Sequence, residues 1–314
     1  MITSRQKVIF PHYFTTKRPF SVKICLSVKK RCDHMITTIQ MELSKISKIK
    51  IGPSASVYMA ENAFEYMKNP LLVADKIVLG NCSKVLIGDN VKDVIINVDQ
   101  NPVIEHRGEI LHVSSGLTVD YLMEYLLKNE IGGPQYLAGI PATIGGLIWM
   151  NGGAFGHHIW EDILYIRAID LNGKIFFLNH DDVKFSYRFS DLKSFNVKFI
   201  VDAFLRIHKI PYFELAKEIS EKIEYRKIHH PVDYPSLGST FKNSSNMLAW
   251  KVIQEIGLVN YRVGDAKFSE KHPNFIVNLG NATFADVKTL VEFAMERSLE
   301  KLNVKISPEI IFVD

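Results

Sequence analysis

Through the first half of the chain body, apolar positions come in short runs. They fall at Lys76–Leu79, Val85–Ile87, Val94–Val98 and Ile110–Val113, separated by turn residues such as Gly88-Asp89-Asn90 and Asn101-Pro102. Runs of this length between turn signals predict strands. At Thr118 the period changes. Val119, Leu122, Met123, Leu126 and Leu127 share one helical face, Thr118 stands at the N-cap, and Gly132-Gly133-Pro134 is the predicted stop. Strands resume at Ile163–Asp170, Ile175–Leu178 and Lys198–Ile207. Beyond His208–Pro211 the pattern turns helical, over 213–228 and 246–257, with a strand at Phe275–Asn278 between them and a last helix at about Ala285–Leu302. That helix has Val287, Leu290, Val291, Ala294 and Ser298 on one face and Thr283/Asp286 in capping-box positions. The tail Ile306–Val313 reads as strand. The change at His208–Pro211 is the predicted domain boundary.

The charge distribution alters the picture in one respect. Residues 1–34 hold eight Lys/Arg against one acid, Asp33, so a chain of net charge +4 has a body of net charge −3. No nucleic-acid partner is expected for such a body. The basic head reads as a targeting segment, a surface-binding arm, or an extension without structural role ahead of a start at Met35 or Met41; the last is the expectation. No apolar run reaches the roughly 18 residues of a membrane span. Cys25, Cys32 and Cys82 form no C-x-x-C pair, and the neighbours His157-His158 and His229-His230 point apart, so neither a disulfide framework nor a metal site is expected.

The standard nucleotide fingerprints are absent, both the P-loop and G-x-G-x-x-G. Gly80-Asn81-Cys82-Ser83-Lys84 follows a predicted strand, where a Gly/Ser turn can aim backbone N–H groups at an anion; alone, it reads better as an ordinary tight turn. From Gly139 to Gly156 the chain carries six glycines among small and apolar residues. That density suits backbone laid against a flat or phosphate-bearing ligand. Arg188 offers a donor fork for a carboxylate or phosphate, or a simple ion pair. Ser239, in Gly238-Ser239-Thr240-Phe241-Lys242-Asn243, is a proton donor if polarised, or a structural turn serine. Glu309, after Pro308, is a charge partner or an exposed glutamate.

In this order and at these separations, the segments Gly139–Gly156, Tyr187-Arg188, Gly238–Asn243, Ser269–Asn278 and Pro308-Glu309 resemble the UDP-N-acetylenolpyruvoylglucosamine reductase family. The resemblance spans about residues 46 to 313. It implies an α+β protein: a vanillyl-alcohol-oxidase-type, two-lobed FAD-binding domain plus an α+β substrate-binding domain. The corresponding division is a dispensable extension over 1–34, lobes over 35–100 and 101–208, a substrate-binding domain over 209–303, and a tail over 304–314 that returns to the site. The implied cofactors are FAD and NADPH. The implied activity is reduction of UDP-N-acetylglucosamine enolpyruvate to UDP-N-acetylmuramate during peptidoglycan precursor synthesis, in the cytoplasm, by a monomer.

By the same resemblance, Arg188, Ser239 and Glu309 stand at catalytic positions. Gly80, Asn81, Cys82 and Ser83 would hold the FAD pyrophosphate, and Gly139, Ile140, Pro141, Thr143, Asn151 and Ala154 would line the flavin and its linker. Arg226, Lys242 and Asn243 would meet the substrate. No inserted tyrosine loop lies between Arg188 and Ser239, as in the family's shorter type. The pyrophosphate turn departs from the family's usual Gly-x-Gly-Ser-Asn: Cys82 replaces a glycine, and Lys84 replaces the asparagine with a charge expected to face phosphate. Ala142 and Ser244 are further departures. The alternatives are a flavin-dependent oxidase or dehydrogenase of the same fold, and a UDP-sugar-binding relative without catalysis.

Overall fold

The computed structural model describes residues 36–244 and 247–314. The basic segment 1–34, with Cys25 and Cys32, lies outside the described residues.

Three sheets organise the described residues. The first runs in the order Thr37–Glu42, Ser54–Met59, Asp93–Ile96, Ile77–Leu79; the first pair is antiparallel and the others parallel. Ala55 and Val57 alternate with more exposed neighbours and join Leu79, Val94 and Ile96 in one apolar cluster. The second is a five-stranded antiparallel sheet: Ile175–Asn179, Ile163–Asp170, Val197–Arg206, Ile110–Ser114, Ile104–Arg107. The helix Val119–Asn129 covers it, burying Val119, Leu122, Met123 and Leu126, and Thr118 caps it by accepting from the Tyr121 N–H. The third is antiparallel, in the order Ser236–Ser239, Phe275–Asn278, Ala266–Phe268, Arg262–Val263. The helix Phe284–Leu302 buries the five predicted residues against this sheet's cluster or the turn after it, and Thr283 and Asp286 form the predicted capping box.

Four details differ from the sequence reading. The first helix stops because Glu130 takes φ 54 and returns its N–H to the Leu126 and Leu127 carbonyls; the glycines come later, and Ile131–Gly132 is a short strand paired with His208–Lys209. The glycine-rich stretch contains a helix, Ile144–Trp149, capped by Thr143. Within the predicted tail strand only Ile311–Val313 is regular, and it pairs in parallel with Val85–Ile87. Finally, the helix Tyr212–His229, beyond the change in sequence character, sets Leu215 and Ile219 into the cluster of the second sheet. Among the described residues, no helix is long and apolar enough to cross a membrane.

Candidate functional site

The strand Ile77–Leu79 delivers the Gly80–Lys84 turn to the glycine-rich segment. A side chain at Gly80 would collide with Thr143 Oγ1, so the turn sits hard against the cap of the Ile144–Trp149 helix. Asn81 Nδ2 donates to the Pro141 carbonyl at 3.1 Å. Cys82 adopts φ 49 without being glycine, its side chain buried in the first sheet's cluster, where desolvation pushes the thiol up to about 12. The departure from glycine is therefore tolerated: burial of the thiol side chain offsets the roughly 1–2 kcal/mol cost of the left-handed conformation. The backbone N–H groups of Asn81, Cys82 and Ser83 donate to no described residue. Three free donors around a left-handed residue form a concave anion site. This turn fits a diphosphate through its backbone.

Arg188 occupies the second position of a two-residue hairpin turn between Phe185–Ser186 and Phe189–Ser190 and takes φ 53. Asn151 secures that hairpin. It is fully buried, donates through Nδ2 to the Ser186 carbonyl at 2.8 Å, and accepts from the Trp160 N–H at 3.3 Å. The strained turn aims the guanidinium inward, across the Tyr187 ring. Its Nε donates to Glu309 Oε1 at 3.2 Å and its Nη2 to the Gly153 carbonyl at 2.9 Å; Nη1 is buried with no partner. Gly153 approaches the His157 carbonyl too closely for any side chain, so part of the glycine density serves the protein's own packing around Ala154.

Glu309 arrives from the tail. Its N–H donates to the Thr240 carbonyl at 2.8 Å, Lys242 N–H donates to Ser307, and Phe241 bridges Pro308. Asn274 braces the same segment, accepting from Phe241 N–H and donating to its carbonyl, both at 2.9 Å. The buried Glu309 carboxylate also contacts Lys84 Nζ at 3.0 Å, and that ammonium donates to the Ser239 carbonyl at 2.7 Å. Lys84 therefore turns to Ser239 and Glu309. It joins Arg188, Ser239 and Glu309 in one cluster. The Ser239 hydroxyl donates to and accepts from no described residue.

The remaining candidates divide. Lys242 Nζ donates to the Arg188 carbonyl at 3.2 Å, beside the cluster. Asn243 uses Oδ1 to accept the Ala249 N–H, leaving its amide NH2. Arg226, on the Tyr212–His229 helix, donates Nε to the Ala138 carbonyl at 2.9 Å, packs over Phe155 and keeps Nη2 buried without a partner. Desolvation, with a smaller push from Arg188, lowers its guanidinium to about 10. Two buried, partly unpaired guanidinium groups near each other suit an anionic ligand. A cavity of about 430 Å³ lined by Gln135, Tyr136, Asp162 and Lys222 reaches the far side of Phe155, but none of the candidate residues lines it. Asn274 has no role in the sequence reading, and Lys84 has a different one there. The only local signal for Lys84 was a charge closing a glycine turn at the start of a strand.

Comparison with known proteins gives two family matches. The FAD binding domain family covers residues 74–179, and the C-terminal domain of UDP-N-acetylenolpyruvoylglucosamine reductase covers residues 230–313. The UDP-N-acetylenolpyruvoylglucosamine reductase of Caldanaerobacter subterraneus is 34% identical over 86% of this chain and 91% of its own length. That of Fusobacterium nucleatum is 36% identical over 76% and 84%. The crystal structure of UDP-N-acetylenolpyruvylglucosamine reductase from Thermus caldophilus superposes with a TM-score of 0.75 at 26% identity, covering 89% of this chain and all of that one.

Proposed function

The chain belongs to the UDP-N-acetylenolpyruvoylglucosamine reductase family, and from that premise we propose that it reduces the enolpyruvyl group of UDP-N-acetylglucosamine enolpyruvate to the lactyl ether of UDP-N-acetylmuramate. FAD and NADPH are its cofactors. The observation that carries the reading is the convergence of Arg188, Ser239 and Glu309, which sequence scatters over 121 residues, into one half-buried cluster with a guanidinium nitrogen that has no partner among the described residues.

The residues present fit a flavin dinucleotide. The free N–H groups of Asn81, Cys82 and Ser83 take its diphosphate, with Gly80 keeping the turn against Thr143. The Gly139-Ile140-Pro141 backbone and Ala154 would hold the linker and ring. A bound flavin would supply hydride chemistry to this site. Arg188 binds the substrate carboxylate through Nη1 and stabilises the charge that spreads onto it as C2 becomes electron-rich. Glu309 holds the Arg188 Nε and so fixes the fork. The Ser239 hydroxyl, uncommitted to the protein, donates its proton to C2. Arg226, Lys242 and Asn243 meet the nucleotide diphosphate. Asn151 acts behind these groups by holding the hairpin of Arg188.

We divide the chain into FAD lobes at 35–100 and 101–208, a substrate domain at 209–303 and a tail at 304–314. We place it in the cytoplasm as a monomer. The test is direct. The purified protein is expected to be yellow and to oxidise NADPH only when UDP-N-acetylglucosamine enolpyruvate is added. A colourless protein points to a binding relative, and oxidation independent of that substrate points to a different flavoenzyme.

A further inference from the structure

Lys84 stands where the turn pattern of the family usually has asparagine, yet its side chain leaves the turn altogether. Its ammonium reaches the Ser239 carbonyl at 2.7 Å and Glu309 Oε1 at 3.0 Å. Its own carbonyl accepts the Ile311 N–H at 2.8 Å, two residues beyond Glu309. One residue thus ties the tail at its backbone, the tail's carboxylate, and the backbone of the serine. A buried lysine is costly unless paired, and desolvation here lowers its proton affinity, with Glu309 opposing the shift. The two oxygens it holds are the partners that keep it charged. Without it, the Arg188 Nε is the charged donor left to Glu309 among the described residues, and the Ser239 carbonyl loses its side-chain donor and keeps only the strand pairing of Ser239 with Phe275.

We propose that Lys84 is a positioning residue for the reduction step: it sets the distance between the proton-donating Ser239 and the Arg188–Glu309 pair, and it does not neutralise cofactor phosphate. This rests on the function proposed above. The strand that follows Lys84 pairs in parallel with the strand that follows Glu309, so backbone and ammonium act on the same register. A displacement of about 1 Å between the proton donor and the charge-stabilising fork lowers a rate by about 10²-fold.

The experiment compares wild type with Lys84→Ala and Lys84→Met in the full-length, FAD-loaded enzyme. It measures FAD dissociation, flavin reduction by NADPH, and flavin reoxidation by UDP-N-acetylglucosamine enolpyruvate under stopped flow. Both variants are expected to bind FAD and to be reduced by NADPH within about threefold of wild type, and to be reoxidised about 10- to 100-fold more slowly with KM little changed. Ethylammonium or propylammonium is expected to restore part of the rate to Lys84→Ala but none to Lys84→Met, whose stem fills the space. Reoxidation within threefold of wild type overturns the proposal. So does a loss of FAD affinity that parallels the loss of rate, which would return Lys84 to the phosphate. Failure of both variants to fold also overturns it, by making Lys84 a residue of the fold. If wild type itself shows no substrate-dependent reoxidation, the proposed function fails first, and that result is distinct from an active wild type with indifferent variants.

Discussion

The Gly80–Ser83 turn and the Arg188–Ser239–Glu309 cluster lie at the two ends of Lys84, and they are built on opposite principles. The turn offers backbone. Its donors are N–H groups, its shape depends on one close approach at Gly80, and it has absorbed a cysteine at a left-handed position. The cluster offers side chains. Its groups come from three distant segments and are braced by Asn151, Asn274 and Lys84. A backbone site tolerates side-chain drift as long as the path of the chain is kept. A side-chain site depends on the identity of each group and on the residues that aim it. The family's usual turn residues could therefore change here while Arg188, Ser239 and Glu309 stayed.

Substitutions test that contrast, and the cluster should give the larger effects. Arg188→Ala removes the fork and leaves Glu309 with Lys84 alone. Stopped-flow reoxidation by substrate is expected to slow by about 10³-fold, the upper range for losing one preorganised charge donor. A fall of less than tenfold would show that the charge is stabilised elsewhere. Ser239→Ala should leave NADPH-driven bleaching nearly normal and slow reoxidation by about 10²-fold, the usual scale for losing a positioned acid; Ser239→Cys should recover part of it. An unchanged reoxidation rate at saturating substrate would make Ser239 a turn residue.

In the turn, the sensitive position is the one that needs close approach. Gly80→Ala forces a methyl into Thr143. Overpacking of that kind costs about 1–3 kcal/mol, and FAD affinity measured by fluorescence should fall by about tenfold while the loaded enzyme keeps its rate. Equal FAD affinity would mean that the turn does not hold the cofactor. Ser83→Ala should do least. It removes one hydroxyl beside N–H groups that remain, worth about 1 kcal/mol or a few-fold in affinity. An effect larger than that of Gly80→Ala would reverse the contrast and make the turn a side-chain site.

Much of this was legible in the amino-acid order. Ile163–Asp170 and Phe275–Asn278 are strands over the predicted residues, and the capping box at Thr283/Asp286 forms as read. These features depend on neighbours within a few positions. Thr37–Glu42 was passed over because it is an edge strand with no fully buried residue to mark a period, and Ile104–Arg107 because three of its four residues are polar. The Ile144–Trp149 helix was hidden by glycines that tertiary packing, not helix propensity, accounts for. The helix stop at Glu130 was misplaced because glycine is the usual left-handed cap and glutamate took that role. For the site, motifs named the candidates, but they could not show that Lys84 turns away from the phosphate turn. Its acceptor on Ser239 is 155 residues away, and no local spacing encodes such a contact.

The parallel pairing of Val85–Ile87 with Ile311–Val313 also governs when the site comes into being. Residues 88–310, most of the described chain, form the loop that this pairing closes. Contacts of such sequence separation incur their closure entropy before they return any stabilisation, and they form late in folding. The second sheet's apolar cluster contains no residue of either strand, and the strands of the third sheet pair within residues 236–278, so both can form while the Lys84–Glu309 pair is still open. In a refolding time course followed by pulsed hydrogen exchange, the Ile311 amide should gain protection after those of Ile166 and Ile276. The chemistry would then be the last property the chain acquires as it folds and the first it gives up when the tail strand detaches.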